Sequence, residues 1–243
     1  MKNVLVTGAT GGIGKAIAEC FAKEGYNVAL HTCTKSDLAK IEAERLSETY
    51  GVRTISVKAD VSNESDVRNM FDFLLENFGT IDVLVNNAGV SSVMMLCDTT
   101  SEEWNRVVDI NLKGAFLCSK EAMKGMVHNK WGRIVNVSSV WGNVGASCEV
   151  AYSASKAGLV GFTRALAKEL APSGVTVNAV SPGLVDTEMN AHLSANDIKE
   201  LCDEIPVGRM GRPFEVAHAV LFLADEKASY ITAQNITVDG GWQ

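Results

Sequence analysis

The sequence has little that would suggest a metal site, a disulfide framework or a membrane span. Its six cysteines are scattered and form no C-x-x-C pair, which favours reduced thiols over a disulfide scaffold. No apolar run approaches the ~20 residues of a membrane-spanning helix or forms a signal-peptide core. The four histidines are dispersed, without the spacing of metal ligands, at His31, His128, His192 and His218. We therefore predict no metal and a cytoplasmic location.

The charge balance also excludes some classes of partner. The 29 acidic residues outnumber the 22 lysines and arginines, giving a formal net charge of −7. Such a balance opposes nucleic acids and anionic membranes as partners held by bulk electrostatics. With 243 residues and 47% hydrophobic composition, the chain can bury one sizeable core. We expect a single domain over residues 1–243.

Short apolar runs alternate with segments of amphipathic helical spacing along the whole chain. The runs predict buried parallel strands at Asn3 to Thr7, Asn27 to His31, Thr54 to Lys58, Ile81 to Val85, Arg133 to Ser138, Thr176 to Val180 and Asn235 to Val238. The helical segments are Gly14 to Lys23, Asp37 to Thr49, Asp66 to Phe78, Glu102 to His128, Ala151 to Leu170 and Pro213 to Ala224. This order predicts an α/β fold: a Rossmann-type, doubly wound parallel sheet of about seven strands with helices on both faces.

The least regular stretch is 181–212, where turn residues interrupt a weak helical pattern. These residues are Pro182, Gly183, Pro206, Gly208 and Gly211. Long loops in compact domains are usually functional, so we expect a mobile flap over a substrate.

A glycine-rich run, T-G-A-T-G-G-I-G from Thr7 to Gly14, joins the first strand to the first helix. Gly8 permits a tight turn, and Gly12 and Gly14 allow close backbone approach. The helix that follows offers free amides and the positive end of its dipole to a pyrophosphate. The run therefore predicts a dinucleotide site, although a glycine turn without a ligand would have the same pattern.

The end of the second strand bears on the choice between NAD and NADP. A carboxylate there would pair with the ribose hydroxyls of NAD. The stretch instead reads His31-Thr32-Cys33-Thr34-Lys35, and the first acid, Asp37, falls in the next helix. Thr34 and Lys35 suit an extra phosphate, which favours NADP, but Lys35 is equally explained as a solvated surface lysine.

Two further strand ends carry polar or small residues. Asp60 and Val61 follow the third strand, where the aspartate could accept a hydrogen bond from adenine or cap a turn. Asn87, Ala88 and Gly89 follow the fourth strand, where small residues would let a ribose pass close to the backbone.

Tyr152 and Lys156 are four residues apart and therefore share one face of a helix. A tyrosine has a pKa of ~10, and an ammonium ~4 Å away is worth up to about 4 kcal/mol at an effective dielectric near 20. One lysine could thus lower the tyrosine pKa substantially. Ser139 ends the fifth strand, where its hydroxyl could donate to a carbonyl oxygen, and Ser138 would then face the other side.

These motifs in this order resemble the short-chain dehydrogenases/reductases over the full length, in the branch of the 3-oxoacyl-acyl-carrier-protein reductases. The matching residues are Thr7 to Gly14, Asp60, Asn86 to Gly89, Asn111 within N-L-K-G, Ser139, Tyr152, Lys156, Pro182-Gly183 and Val238 to Gly241. The resemblance implies hydride transfer to a ketone with Tyr152 as proton donor, in fatty acid biosynthesis. It also implies a homotetramer built through the two long helices, Glu102 to His128 and Ala151 to Leu170.

The resemblance assigns further roles within the site. It implies that Asn111 holds a water that connects Lys156 to solvent, that Lys156 binds the nicotinamide ribose, and that Val185 and Thr187 contact the carboxamide. The predicted catalytic residues are Asn111, Ser139, Tyr152 and Lys156. The predicted cofactor-binding residues are Gly8, Thr10, Gly12, Ile13, Gly14, Thr34, Lys35, Asp60, Val61, Asn87, Ala88, Gly89, Tyr152, Lys156, Pro182, Gly183, Val185 and Thr187.

The sequence departs from the pattern of this family at two places, and these departures leave the identity of the substrate open. Carrier-protein reductases have two basic residues near the entrance, and the matching positions here are Lys130 and Ser173, of which one is basic. The segment from Trp141 to Val150 is similar to a Gram-positive subgroup that reduces 5-aminopentanone on elongation factor P, where Glu149 could meet an amine. A hydroxysteroid or other alcohol dehydrogenase, and a binding protein that senses NAD(P), are the remaining alternatives.

Overall fold

The structure is a computed structural model that describes residues 1–191 and 193–243. His192, one of the dispersed histidines and part of the predicted flap, lies outside the described residues. No helix in the described part of the chain is both long and apolar enough to cross a membrane.

Seven parallel strands form one sheet in the order β3-β2-β1-β4-β5-β6-β7. Their bounds are β1 Asn3–Val6, β2 Asn27–Thr32, β3 Thr54–Lys58, β4 Val83–Asn86, β5 Gly132–Val137, β6 Val175–Pro182 and β7 Asn235–Val238. The predicted doubly wound parallel sheet is confirmed, and every predicted strand is present. The chain reverses its direction of winding between β1 and β4, which is where ligands bind in open α/β sheets.

Helices cover both faces of this sheet. Their bounds are α1 Gly12–Lys23, α2 Ser36–Tyr50, α3 Glu64–Asn77, α4 Ser101–Val108, α5 Gly114–His128, α6 Trp141–Val144, α7 Val150–Leu170, α8 Ala195–Glu204 and α9 Pro213–Ala224. Residues of α1 and α9 pack in the core on one face, and residues of α3, α5 and α7 pack on the other. Alternating strand residues supply both cores, as the continuous apolar runs predict.

The predicted helix from Glu102 to His128 is helical throughout, but it is not a regular α-helix in its middle. A π-helical turn, Asp109–Lys113, separates α4 from α5. Within this turn the Asn111 side chain is buried and bonds to the Val90 backbone instead of facing solvent. Widened turns of this kind occur mostly at functional sites, where they point a side chain away from the regular helical path.

Two short helices were not predicted. Trp141–Val144 forms a single helical turn directly after β5, and Ala195–Glu204 lies within the irregular stretch 181–212. The second begins with a capping box in which Ser194 accepts from the Asp197 amide and Asp197 accepts from the Ser194 amide. This reciprocal cap stabilises a helix whose apolar pattern is weak.

A buried amide network joins the centre of the sheet to α5 and α7. Asn86 Nδ2 donates to Asn136 Oδ1 at 2.8 Å and to Ser119 Oγ at 3.1 Å. Asn136 Nδ2 in turn donates to Thr163 Oγ1 at 2.8 Å. Because buried polar groups are costly unless paired, this network fixes α7 at one position on the sheet. Tyr152 and Lys156 lie on that helix, so their positions depend on it.

Candidate active site

A cavity of about 830 Å³ lies at the carboxyl ends of the strands, on both sides of the β1/β4 reversal. Residues that follow β1, β2, β3, β4, β5 and β6 all contribute to its walls. The residues predicted for cofactor and chemistry that line it are Gly8, Thr10, Gly12, Ile13, Gly14, Thr34, Lys35, Asp60, Val61, Asn87, Ala88, Gly89, Ser139, Tyr152, Lys156, Pro182, Gly183, Val185 and Thr187. Tertiary folding thus brings together residues from distant parts of the chain.

Asn111 is the predicted site residue that does not line this cavity. Its Oδ1 accepts from the Val90 amide at 2.8 Å, and its Nδ2 donates to the Val90 carbonyl at 2.9 Å and to Ser155 Oγ at 3.0 Å. The side chain therefore lies behind Gly89 and Val90 and ties them to α7. These contacts join residues 21 and 44 positions apart in the sequence.

The glycine turn is held very close to the strand end below it. A Cβ on Gly14 would lie 2.2 Å from the Gly8 carbonyl oxygen, and a Cβ on Gly12 would lie 2.8 Å from Thr187 Cγ2. Gly8 itself has a φ of +65°, which strongly favours glycine. The Gly11 N-cap provides no side-chain hydrogen bond to the first turn of α1. The amides of that turn therefore remain available to an anion in the cavity.

His31 is a cavity residue whose contribution the sequence analysis missed. Its Nδ1 accepts from the Gly8 amide at 3.1 Å, and its Nε2 donates to the Ala59 carbonyl at 3.1 Å. The ring is 1% exposed, and burial lowers its pKa to about 4. A neutral His31 thus connects the glycine turn to the end of β3. A histidine directly after the apolar run 28–30 was the signal that could have revealed it.

Ser139, Tyr152 and Lys156 meet at the floor of the cavity. The Ser139 and Tyr152 hydroxyls share a hydrogen bond, and Lys156 Nζ lies 5.6 Å from the centre of the Tyr152 ring. Lys156 Nζ donates to the Val137 carbonyl at 2.8 Å. Ser138 Oγ donates to the Lys156 carbonyl at 2.9 Å. The two serines therefore have separate partners, as strand alternation predicts.

The pKa values of this group differ from the sequence-based expectation. Burial raises the pKa of Tyr152 to about 12, and the hydrogen bond from Ser139 offsets only part of this rise. Burial lowers the pKa of Lys156 to about 8. The expected lowering of the tyrosine pKa is not met, because desolvation of the Tyr152 hydroxyl is the largest contribution to its pKa. The phenol is protonated at neutral pH.

Charged and polar residues at the rim have partners within the protein. Lys35 Nζ lies 3.0 Å from Glu188 Oε2, across the mouth of the cavity. Asp60 Oδ1 accepts from the Ser62 amide at 2.9 Å and from its hydroxyl at 2.7 Å, which is the turn-capping geometry that the sequence allowed. Asp37 lies in α2, as predicted.

The segment from Trp141 to Val150 contributes directly to the cavity. Trp141 and Glu149 both line it, and Glu149 accepts from Ser91 Oγ at 2.5 Å. Arg106 also lines the cavity, but both its Nε and Nη2 donate to Glu103. Glu149 is thus a carboxylate in the cavity wall whose hydrogen-bond partner, Ser91, is an uncharged hydroxyl.

The expected position of Lys130 and Ser173 near the cavity entrance was wrong for this chain. Lys130 and Ser173 immediately precede β5 and β6, so they lie at the amino-terminal edge of the sheet, opposite the cavity. Met189 also lines the cavity. Within the described residues, no cluster of three or more His, Cys, Asp or Glu side chains could hold a metal ion.

The two hydrogen bonds of His31 give a pH-dependent prediction. We expect His31→Leu to lower the free energy of unfolding at pH 7 by about 1–3 kcal/mol, because the Gly8 amide loses its acceptor. His31 has a pKa of about 4 when folded and ~6.5 when unfolded, so its neutral form is favoured by folding. As pH falls from 6.5 to 4, the free energy of unfolding of the wild type therefore decreases by roughly 3 kcal/mol through His31, and the variant does not show this decrease.

Urea denaturation of both proteins at several pH values measures this difference. His218→Gln, at an exposed histidine of α9, serves as the matched control and should change stability by less than about 0.5 kcal/mol. A difference between wild type and His31→Leu that stays constant from pH 7 to pH 4 would contradict the prediction.

Comparison with known proteins agrees with this architecture. Residues 8–243 match a family model described as enoyl-(acyl carrier protein) reductase. The chain is 45% identical over 237 residues to 3-oxoacyl-[acyl-carrier-protein] reductase FabG of Aquifex aeolicus, covering 98% of this chain and 95% of that protein. It is 43% identical over 241 residues to the uncharacterized oxidoreductase YmfI of Bacillus subtilis, covering 99% and 98%. FabG of Staphylococcus aureus (strain N315) is 41% identical over 240 residues, covering 99% and 97%. The chain belongs to the short-chain dehydrogenase/reductase family, in its FabG-like branch, and is a nicotinamide-dependent oxidoreductase.

Proposed function

We propose that this protein is an NADPH-dependent reductase of 3-oxoacyl groups carried by an acyl carrier protein, with Tyr152 as the proton donor. One observation carries the proposal: the Tyr152 hydroxyl is buried at the cavity floor, hydrogen-bonded to Ser139, and protonated at neutral pH. A proton donor in ketone reduction has to be protonated in this way. The FabG relatives, named for this reaction, match almost the full length of the chain.

The residues of the cavity fit a dinucleotide. The Gly12 and Gly14 positions leave no room for a Cβ, and the uncapped first turn of α1 presents amides to a pyrophosphate. In this proposal Asp60 and Val61 contact the adenine, Asn87, Ala88 and Gly89 border a ribose, and Lys156 binds the nicotinamide ribose. Pro182, Gly183, Val185 and Thr187 would contact the nicotinamide end.

Bound NADPH supplies a hydride for the carbonyl carbon. Ser139 donates a hydrogen bond to the carbonyl oxygen, and Tyr152 transfers its proton to that oxygen, which leaves a phenolate. The Lys156 ammonium, 5.6 Å from the ring centre, stabilises this anion as it forms. Asn111 acts as a positioning residue, because its amide bonds to the Val90 backbone and to Ser155, whose hydroxyl donates to the Tyr152 carbonyl.

A second candidate substrate follows from Glu149. Its carboxylate lines the cavity, and its negative charge helps to raise the pKa of Tyr152. A ketone that bears an amine, such as 5-aminopentanone on a lysine of elongation factor P, would place a cation beside this carboxylate. If the enzyme reduces such a ketone faster than acetoacetyl thioesters, the second candidate is favoured. The presence of a proton donor, Tyr152, together with Ser139 and Lys156 argues against a role limited to sensing NAD(P).

We also propose a cytoplasmic homotetramer that packs through α5 and α7, and a flap formed by 181–212. The outer face of α7 carries small exposed residues at helical spacing, Ala154, Ala157, Gly161 and Ala165, which let a second helix approach closely. Val185, Thr187 and Leu201 of the flap line the cavity. We expect light scattering to give the mass of four chains, and the mass of one chain would contradict the tetramer.

The proposed proton donor can be tested by Tyr152→Phe. We expect kcat for NADPH oxidation with acetoacetyl-acyl carrier protein to fall about 10²- to 10⁴-fold, the usual contribution of a general acid. The dissociation constant for NADPH, measured by calorimetry, should change by less than about threefold, because the ring remains in place. If the variant retains wild-type kcat, Tyr152 is not the proton donor.

The preference for NADP can be tested at the Lys35–Glu188 ion pair. We expect Lys35→Gln to weaken NADPH binding about three- to tenfold and to leave NADH binding unchanged, because a charge facing the extra phosphate is lost. Glu188→Gln should tighten NADPH binding, since it removes a carboxylate that competes for Lys35. Calorimetric titration gives both constants, with Lys40→Gln on the exposed side of α2 as control. If the ratio of the dissociation constants for NADPH and NADH is the same in Lys35→Gln as in the wild type, this lysine does not select NADP.

A further inference from the structure

Two tryptophans from distant parts of the chain form one wall of the cavity. Trp141 is the first residue of α6, two positions after Ser139, and Trp242 is close to the end of the sequence. Their ring centres are 5.0 Å apart with an interplanar angle of 63°, an edge-to-face contact. Both side chains are half-buried and both line the cavity. We refer to Trp141 and Trp242 as the indole wall.

The indole wall lies beside the proposed proton donor. Trp141 packs against a small cluster of buried residues, Val107, Ala151 and Tyr152. The ring of Trp141 is thus fixed against the helix that carries Tyr152. A carbonyl that accepts a proton from Tyr152 would therefore bring one of its two substituents next to the indoles.

Trp242 is held in place from two directions. Its Nε1 donates to Glu204 Oε2 at 3.3 Å, which connects it to the end of α8. The Asp239 carboxylate accepts from the Gly241 amide at 3.0 Å and from the Gln243 amide at 2.9 Å, and so fixes the backbone on both sides of Trp242. The second indole therefore links the terminal segment and α8 to the wall.

We propose that the indole wall selects the substrate by its acyl chain: it packs against a short, linear, apolar chain on the reduced carbonyl and blocks longer chains. This inference rests on the proposed reductase function and adds the residues that decide chain length. Indole faces offer large, rigid apolar area without a charge. Glu204 fixes the orientation of Trp242 through the Nε1 hydrogen bond, so α8 and the wall act together as the end of the acyl site.

The test is a comparison of kcat/KM for 3-oxoacyl thioesters with four, six and eight carbons, in wild type and Trp242→Ala. We expect wild type to prefer the four-carbon substrate. In the variant, kcat/KM for four carbons should fall about tenfold while that for eight carbons is retained or rises. The ratio of the two constants thus shifts at least tenfold. An equal change at all chain lengths, or no change, would overturn the proposal.

Two further variants separate selection from simple damage to the fold. Trp242→Phe keeps an aromatic ring but has no N–H for Glu204, and it should retain the four-carbon preference only in part. Trp131→Phe is the matched control, because Trp131 lies at the opposite edge of the sheet against Lys2 and should leave the ratio unchanged. A shift in Trp131→Phe as large as in Trp242→Ala would also overturn the proposal.

A direct binding measurement distinguishes failure of the proposed reductase function from failure of the proposed role of the indole wall. We expect acetoacetyl thioester to quench tryptophan fluorescence of the NADP⁺-loaded wild type, and to quench Trp242→Phe at most half as strongly. If wild type reduces none of the thioesters, the proposed function fails. If the wild type reduces the thioesters but the Trp242 variants show the same quenching and the same chain-length ratio as the wild type, the role of the indole wall is contradicted. The proposed function is then still supported.

Discussion

The close contact between the glycine turn and the end of β1 sets the geometry of the rest of the site. The first turn of α1 lies so near the Gly8 carbonyl that a Cβ at Gly14 would be 2.2 Å from it. Asn87 Nδ2 donates to the Thr7 and Gly8 carbonyls at 2.9 and 3.1 Å, and His31 accepts from the Gly8 amide. The ends of three neighbouring strands are therefore joined through one backbone turn, and the first turn of α1, which has no side-chain cap, lines the cavity.

Burial controls the chemistry on the other side of the cavity. Tyr152 and Lys156 lie on a helix that the Asn86, Asn136 and Thr163 network holds against the sheet. Because both side chains are desolvated there, the tyrosine is kept as a neutral acid and the lysine gives up its proton more easily. The same packing that stabilises the fold thus prepares a proton donor, and the developing phenolate is where the lysine charge becomes useful.

Much of this organisation follows from short-range patterns in the sequence. The alternation of apolar runs with amphipathic segments predicts the parallel sheet, because only buried strands are apolar on both faces. The spacing of Tyr152 and Lys156 places them on one side of a helix, and the Ser138-Ser139 alternation predicts different partners for the two serines. Asn111 was found through its motif, but its contacts were not, because a π-helical turn depends on packing against Val90 and Ser155.

The fold class, the glycine turn and the residues of the proposed chemistry follow from the sequence alone, because each of these depends on residue type and on local spacing. Packing of the whole chain decides which distant groups meet. It paired His31 with Gly8, Lys35 with Glu188 across 153 positions, and Trp141 with Trp242. It also places Lys130 and Ser173 at the edge of the sheet opposite the cavity. The pKa of Tyr152 is raised, whereas it was expected to be lowered. Burial and long-range contacts depend on the whole packed chain, and no local pattern encodes them.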